Sequence, residues 1–238
     1  VRLAFFGAGA MGRVVQERCR VEGDVVGHVF RSADAALDPG ALAQRLAGHD
    51  AALDFSVAAA VPTHVAACVR AGVPIVVGTT GWQDTEAVVV RHVEQGGGAL
   101  LHGANFSLGV NLFFRLVDRA AELFGALGGY EAFIEEAHHG KKRDAPSGTA
   151  LELRRVLREH LARDVPIAST RAGQIPGTHR VGFDAAADQI VLTHEARTRA
   201  GFAAGALLGA RWLVGRSGVF AFADVIDDLL RTVPERAR

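Results

Sequence analysis

Short apolar runs alternate with amphipathic stretches over the first hundred residues. Val1–Phe6 reads as a buried strand, Arg13–Val21 as a helix, Val25–Phe30 as a second strand and Pro39–Leu46 as a weak helix. Ala51–Phe55, Val73–Val77 and Ala99–Leu101 continue the strand series, with helical patterns at Val61–Ala71 and Asp84–Gln95 between them. Strands alternating with helices predict a parallel, doubly wound sheet. The rhythm changes after Asn105-Phe106-Ser107. A long helical pattern over 108–127 leads to a strand at Tyr130–Ala137, a polar loop, a helix at Gly148–Ala162 and strand-like runs near 166–172, 178–184 and 189–196. Strands with no helix between them predict an open, mixed or antiparallel sheet. Helical patterns at 203–214 and Ala223–Leu230 close the chain. The expected fold class is α/β: an N-terminal Rossmann-type doubly wound parallel sheet and a second α+β domain with an open mixed sheet. The expected domains are 1–106, dinucleotide-binding, to which a C-terminal helix of about 216–238 returns, and 107–215, for substrate binding and oligomerisation.

Gly7-Ala-Gly-Ala-Met-Gly12 follows the first strand and opens the first helix. In that context a Gly-x-Gly-x-x-Gly run binds a dinucleotide: one glycine makes the turn, one admits the pyrophosphate, one packs helix against strand. The competing reading is a glycine-rich turn in a flavodoxin-like fold with a different ligand. The second strand ends in Phe30-Arg31-Ser32, with no carboxylate before Asp34. Arg31 and Ser32 can hold a 2′-phosphate, or Arg31 can lie on adenine and accept either nucleotide. NADPH or NADH is therefore expected, with a slight lean to NADPH. Asp54-Phe55-Ser56 and Gly78-Thr-Thr-Gly81 end the third and fourth strands, on the edge of the sheet that lines a cofactor crevice, although each also suits a plain turn.

Composition changes this picture mainly by exclusion. With 26 basic and 26 acidic residues the net charge is zero, so nucleic acid and membrane surfaces are not expected partners. No apolar run is long enough to span a bilayer and no leader is visible, which favours a cytoplasmic protein. Cys19 and Cys68 lie on apolar helical patterns and read as core residues.

The densest chemistry is in residues 134–150, Ile-Glu-Glu-Ala-His-His-Gly-Lys-Lys-Arg-Asp-Ala-Pro-Ser-Gly-Thr-Ala. His138 and His139 are of a residue type suited to proton exchange, a neighbouring lysine can donate a proton, and the Ser-Gly-Thr turn starts a helix whose first N–H groups can hold a carboxylate. Adjacent residues on a strand face opposite ways, so the two histidines are poor partners for one ion, and no metal site is expected. The bland alternatives are structural histidines and a solvated run of lysine and arginine.

The run from Glu136 to Ala150 resembles the signature of the dihydrodipicolinate reductase (4-hydroxy-tetrahydrodipicolinate reductase) family, with His138 and Lys142 in register. Supporting matches are Gly7–Gly12, Asp54-Phe-Ser, Gly78–Gly81, Ala104-Asn-Phe-Ser-Leu-Gly-Val-Asn111, Arg171-Ala-Gly-Gln-Ile-Pro-Gly-Thr-His179, Thr193-His194, Arg199, Phe202 and Gly205-Ala206. The chain departs from the pattern in trimmed loops, in Phe133 where the family often has Glu, and in the missing acid after the second strand.

The resemblance implies NAD(P)H-dependent reduction of 4-hydroxy-tetrahydrodipicolinate in the diaminopimelate route to lysine. It makes Lys142 the proton donor, His138 the second acid/base group, and His139, Gly148 and Thr149 the holders of a substrate carboxylate. Taken with the reading of Arg31 and Ser32 above, it implies cofactor contacts from Gly7, Ala8, Gly9, Ala10, Met11, Gly12, Arg31, Ser32, Phe55, Gly78, Thr79, Thr80, Gly103, Ala104, Asn105 and Phe106. It also implies a homotetramer acting on a small dicarboxylate. The rival readings are another two-domain dehydrogenase of a small amino or hydroxy acid, which would lack the His/Lys loop, and a non-catalytic nucleotide-sensing module, which would leave that loop without a job.

Overall fold

The computed structural model describes residues 1–34 and 36–232. Its elements run β1 (Arg2–Phe6), α1 (Ala10–Val21), β2 (Val25–Phe30), α2 (Pro39–Leu46), β3 (Ala51–Asp54), α3 (Val61–Ala71), β4 (Ile75–Val77), α4 (Gln83–Gly96) and β5 (Ala99–His102). There follow α5 (Leu108–Leu127), β6 (Glu131–His138), α6 (Gly148–His160), β7 (Ile167–Arg171), β8 (Thr178–Asp184), β9 (Gln189–Glu195), α7 (Ala200–Leu213), β10 (Gly218–Ala221) and α8 (Phe222–Thr232). The chain divides into two compact units. Unit 1 is Val1–Leu108 with the chain from Arg199 onward, and unit 2 is Gly109–Thr198.

Unit 1 is built on a six-stranded sheet of order β10-β5-β4-β3-β1-β2, parallel throughout. Both faces are buried. Leu3 and Phe5 of β1 join a core with Val15, Leu53, Leu101 and Leu207, while Ala4 and Phe6 join another with Leu42, Val65, Ile75 and Leu100. A strand covered on both sides needs an unbroken apolar run, which is why these segments show little alternation. β1 lies between β2 and β3, so the order of strands reverses there. A crevice opens outside the strand ends at such a reversal.

Two expectations for this unit need correction. The sequence reading returned the chain to the first domain only at about 216, but α7 already belongs to unit 1. Ala203, Gly205, Ala206, Leu207, Gly209, Ala210 and Leu213 are all buried, a face too wide and too apolar for a peripheral helix. A sixth strand, β10, was not expected. It pairs with β5 from Gly218↔Ala99 to Ala221↔His102. Its four residues run straight into α8 and are too short to show a period. Residues 233–238 of the expected final helix lie outside the described residues.

Unit 2 holds a four-stranded mixed sheet of order β7-β6-β8-β9. β6 and β7 are parallel and the other two pairs antiparallel. α5 and α6 cover one face through Phe113, Val117, Leu153 and Leu157, packed on Ile134, Val181 and Phe183. Cys19 and Cys68 are both free and buried, as their helical patterns implied.

α7 sits so close to the chain after β5 that a Cβ on Gly205 would run into the Phe106 carbonyl oxygen. Gly205→Ala is expected to destabilise the fold by about 2–3 kcal/mol, because overpacking outweighs the gain in helix propensity. Denaturant melts measure it, and wild-type stability in the variant would disprove the close approach.

Candidate active site

In unit 1 the three motif glycines do different work. Gly7 has φ 98°, and a Cβ on it would collide with the Phe55 carbonyl. A Cβ on Gly12 would collide with the Gly7 carbonyl oxygen, so this glycine sets how closely α1 approaches β1. Gly9 caps α1 without a side-chain bond, and open space surrounds the place of its missing Cβ. The first-turn amides of α1 therefore face a cradle free of side-chain bulk, which fits a pyrophosphate. Arg13 closes the turn by donating from Nε to the Ala8 carbonyl at 3.0 Å.

A crevice of about 290 Å³ lies beside that turn, lined among others by Met11, Phe55, Gly78, Thr79, Thr80, Ala104 and Phe106. These seven were expected at the cofactor. Asn105, also expected, is not among the lining residues, and its Oδ1 accepts the Ser107 N–H at 2.9 Å. Gly103 packs toward Phe222 and Phe106. Beneath the crevice lies Asp54, fully buried, which the expected site set omitted. Its Oδ1 accepts from Ser56 Oγ at 2.6 Å, Thr79 Oγ1 at 2.8 Å and the Ser56 N–H at 2.9 Å, and its Oδ2 lies 2.7 Å from His64 Nδ1. The network holds Ser56 and Thr79 in the crevice wall. The signals for it in the sequence were an acid at the end of a buried strand and its place in the matched Asp54-Phe-Ser motif.

At the end of β2, Asp34 is committed elsewhere. Its Oδ2 accepts the Arg31 N–H at 2.8 Å and its Oδ1 accepts Arg45 at 2.5 Å. The Arg31 N–H, then Arg45, hold this carboxyl below its ordinary range. The Arg31 side chain is exposed; that of Ser32 lies outside the described residues.

In unit 2 the register builds a polar cluster at one end of the helix-covered face. Glu136 of β6 stands opposite His179 of β8, which stands opposite His194 of β9. His138 is two residues from Glu136 and so shares its face, continuing the line begun by Ile134. Glu136, His138, Ser147 and His179 are all buried. Glu136 Oε1 accepts Arg171 at 2.6 Å and the Ser147 N–H at 3.3 Å, and Oε2 lies 2.5 Å from His138 Nδ1. Arg171 also donates to the Asp144 carbonyl at 2.6 Å, tying β7 to the loop. Ser147 caps α6 by accepting the Ala150 N–H at 3.3 Å, and its Oγ is 3.1 Å from His179 Nε2. Gly148 and Thr149 begin the capped helix. Lys142, in the loop that precedes them, is half-buried, with Nζ 2.8 Å from Asp144 Oδ2.

Burial alone would raise the Glu136 carboxyl, but Arg171 with Ser169, Ser147 and His138 pulls it down to about 2. Burial pushes His179 down to about 4, with His138 adding to the effect, and lowers His138 and His194 in the same direction. The cluster is thus a buried carboxylate among neutral imidazoles.

The structure brings His138, Lys142, Gly148 and Thr149 to this one end of unit 2. His139, next along the chain, is half-buried. The expected set lacked Glu136, Ser147, Arg171 and His179, although all four lie in matched motifs. Strand pairing was needed to place His179 opposite Glu136. Glu136, His138 and His179 also have ligand-type atoms within 4.8 Å of one another, a grouping not expected from sequence. Two ligands on one tetrahedral ion sit roughly 3.3 Å apart, so the 2.5 Å Glu136–His138 approach is a hydrogen-bond distance, and Arg171 already balances the carboxylate.

The chain is similar to known proteins. A family model described as dihydrodipicolinate reductase, N-terminus, matches residues 1–106, and one described as dihydrodipicolinate reductase, C-terminus, matches 109–226. A 4-hydroxy-tetrahydrodipicolinate reductase of Christiangramia forsetii is 33% identical, over 97% of this chain and 100% of that protein. One of Gluconobacter oxydans is 40% identical, over 85% of this chain and 88% of that protein. The fold is similar to that of a dipicolinate-bound dihydrodipicolinate reductase from Paenisporosarcina sp. TG-14, with TM-score 0.78, 20% identity, and coverage of 93% and 97%.

The cluster makes stability depend on pH. Between its unfolded value near 6.5 and about 4, His179 binds a proton in the unfolded chain but not in the folded one. Stability therefore falls as pH drops through that window, by about 3 kcal/mol for this group. Glu136 extends the loss from its ordinary 4.5 toward 2. Unfolding free energies measured from pH 7 to 4 should show the decline, and His179→Gln should flatten its upper part. An unchanged slope in that variant would refute the assignment.

Proposed function

The chain belongs to the dihydrodipicolinate reductase family, and on that footing we propose which residues carry its reaction. The activity is reduction of 4-hydroxy-tetrahydrodipicolinate to tetrahydrodipicolinate by a reduced pyridine nucleotide, in the diaminopimelate route to lysine. The observation that carries the residue assignment is the meeting of His138, Lys142 and the Ser147-capped start of α6 at one end of the unit 2 sheet.

The substrate is a cyclic imine dicarboxylate, and the bound nucleotide supplies a hydride to the carbon that bears its hydroxyl. The Gly148 and Thr149 amides and His139 hold a carboxylate at the start of α6, where the helix dipole favours an anion. Lys142 donates a proton, and His138 moves the proton on the ring carbon beside the reduced one. In unit 1 the Gly7–Gly12 turn takes the pyrophosphate, while Phe55, Gly78, Thr79, Thr80, Ala104 and Phe106 form the wall for the reacting end of the nucleotide. NADPH binds at least as well as NADH, because Arg31 is exposed at the end of β2 while the nearest carboxylate, Asp34, is engaged by Arg45.

The enzyme assembles as a homotetramer through unit 2. Support comes from β9, an edge strand with Ile190 44% and Val191 42% exposed, since an open edge is a template for pairing. No helix among the described residues is long and apolar enough to cross a membrane. We place the enzyme in the cytoplasm, where reduced nucleotide is supplied. Oxidation of reduced nucleotide by freshly generated 4-hydroxy-tetrahydrodipicolinate tests the activity, and no turnover with either nucleotide would refute it.

Lys142→Ala should lower kcat by ~10²–10⁴-fold, as expected for loss of a general acid, and Lys141→Ala far less. A larger loss at Lys141 would move the proton donor by one residue. Arg31→Ala should weaken NADPH more than NADH, by the roughly 1.5–3 kcal/mol of a charge-assisted contact. Equal losses in titrations of the two nucleotides would mean that Arg31 lies on adenine instead.

A further inference from the structure

Glu136 is, among the described residues, the buried carboxylate of unit 2, and the roles assigned above leave it idle. It is 2% exposed, on the same face as Ile134. A carboxylate there costs several kcal/mol in lost hydration unless every oxygen is satisfied. Oε1 has Arg171 and the Ser147 N–H. Oε2 has no well-aligned hydrogen bond, and neither has the buried Nδ1 of His138. These two atoms lie 2.5 Å apart. Each is the group that can satisfy the other, and a small turn of the imidazole aligns them.

Satisfying both requires the proton to sit on Nδ1, because an ionised carboxylate only accepts. That leaves His138 Nε2 bare. Nε2 lies beside Gly177, where a Cβ would stand 3.2 Å away. Gly177 has φ 140°, so a side chain there would be strained as well as close. The space beside Nε2 is kept clear by the backbone.

We infer that Glu136 is a positioning residue: it locks His138 in the Nδ1–H tautomer, so that Nε2 is the atom that exchanges a proton with the substrate ring. The inference rests on the role given to His138 above. It also orders the proton transfers. His138 Nε2 first takes a proton from the carbon between the hydroxyl-bearing carbon and the imine carbon. That C–H pair becomes the new C=C bond, the C–O bond breaks, and hydroxide leaves as water with the proton of Lys142. After hydride reaches the former hydroxyl carbon, the ring electrons return to the same neighbouring carbon, which takes the proton back from Nε2. His138 ends neutral, Lys142 has given one proton that solvent replaces, and the sum is one hydride and one proton consumed and one water released.

The groups facing His138 agree with a neutral base. Glu136 faces it from its own strand, Arg171 from β7, His179 from β8 and Lys142 from the loop, and burial lowers the imidazole despite Glu136. Arg171 bridges Glu136 and the Asp144 carbonyl, so the orienting carboxylate and the loop that carries Lys142 share one anchor.

Nitrogen-15 spectra of histidine-labelled wild-type enzyme at pH 7, assigned by difference against His138→Gln, should show a protonated Nδ1 and a bare Nε2 at His138. E136Q keeps an oxygen for Arg171 but turns an amide N–H toward Nδ1. It should invert the tautomer and lower kcat by ~10²–10⁴-fold, as when a triad carboxylate is replaced by its amide. The substrate KM and the nucleotide Kd should stay within about twofold, because Glu136 is buried behind His138 and Ser147. E136D, which keeps the charge, should recover part of kcat. An Nε2–H tautomer in the wild type overturns the inference even if neither E136Q nor E136D folds. So does an E136Q kcat near wild type, or a kcat loss matched by an equal rise in KM. Full activity in His138→Gln would instead remove the role of His138, and with it the premise.

Discussion

The pairing of Arg171 with the buried carboxylate of Glu136 is the interaction on which the polar end of the unit 2 sheet depends. Without it a charge would lie unpaired beneath α6, next to Ile134, at a cost comparable to much of a domain's net stability. With it, one oxygen of Glu136 is used up and the other is left for His138. The same guanidinium reaches the Asp144 carbonyl, so the strand, the loop and the helix cap at Ser147 are held by one small set of bonds. Rigidity there has a chemical use, because proton transfer requires donor and acceptor at hydrogen-bond distance in a fixed direction.

Unit 1 applies the same logic at the end of β3. Asp54 is buried, and its oxygens are taken by Ser56, Thr79 and His64. In both units a strand carries a carboxylate sunk below the surface near its end, and the groups that satisfy it are those that shape the wall above. A buried acid with every lone pair used leaves its partners little freedom to move. The two units differ in what they hold down: hydroxyl and amide groups in the first, an imidazole and a helix start in the second.

The strand–glycine turn–helix unit, the parallel sheet and the second mixed sheet were legible from local patterning, because apolar period and turn residues act over a few positions. So was the gathering of seven of the expected residues around one crevice, since strand ends in a parallel sheet collect on one edge. The placement of α7 was not legible. Its small, apolar surface suits either unit, and only packing against Leu101 and Phe222 settles which. β10 was hidden because four residues beside a helix carry no period of their own. Arg171 and His179 were visible as a motif but had no partner in the sequence, being 35 and 43 positions from Glu136.

The sequence by itself determined the layered architecture, the glycine turn and the family, because each rests on residue types at fixed short spacing. Tertiary structure alone decided which polar groups share a face. Glu136, His179 and His194 become neighbours only when β6, β8 and β9 pair in register, and a slip of one residue would turn each of them to the opposite side. The pairing of Glu136 with His138 is local, two positions apart on β6, but its burial, on which the tautomer of His138 depends, comes only with the packed sheet.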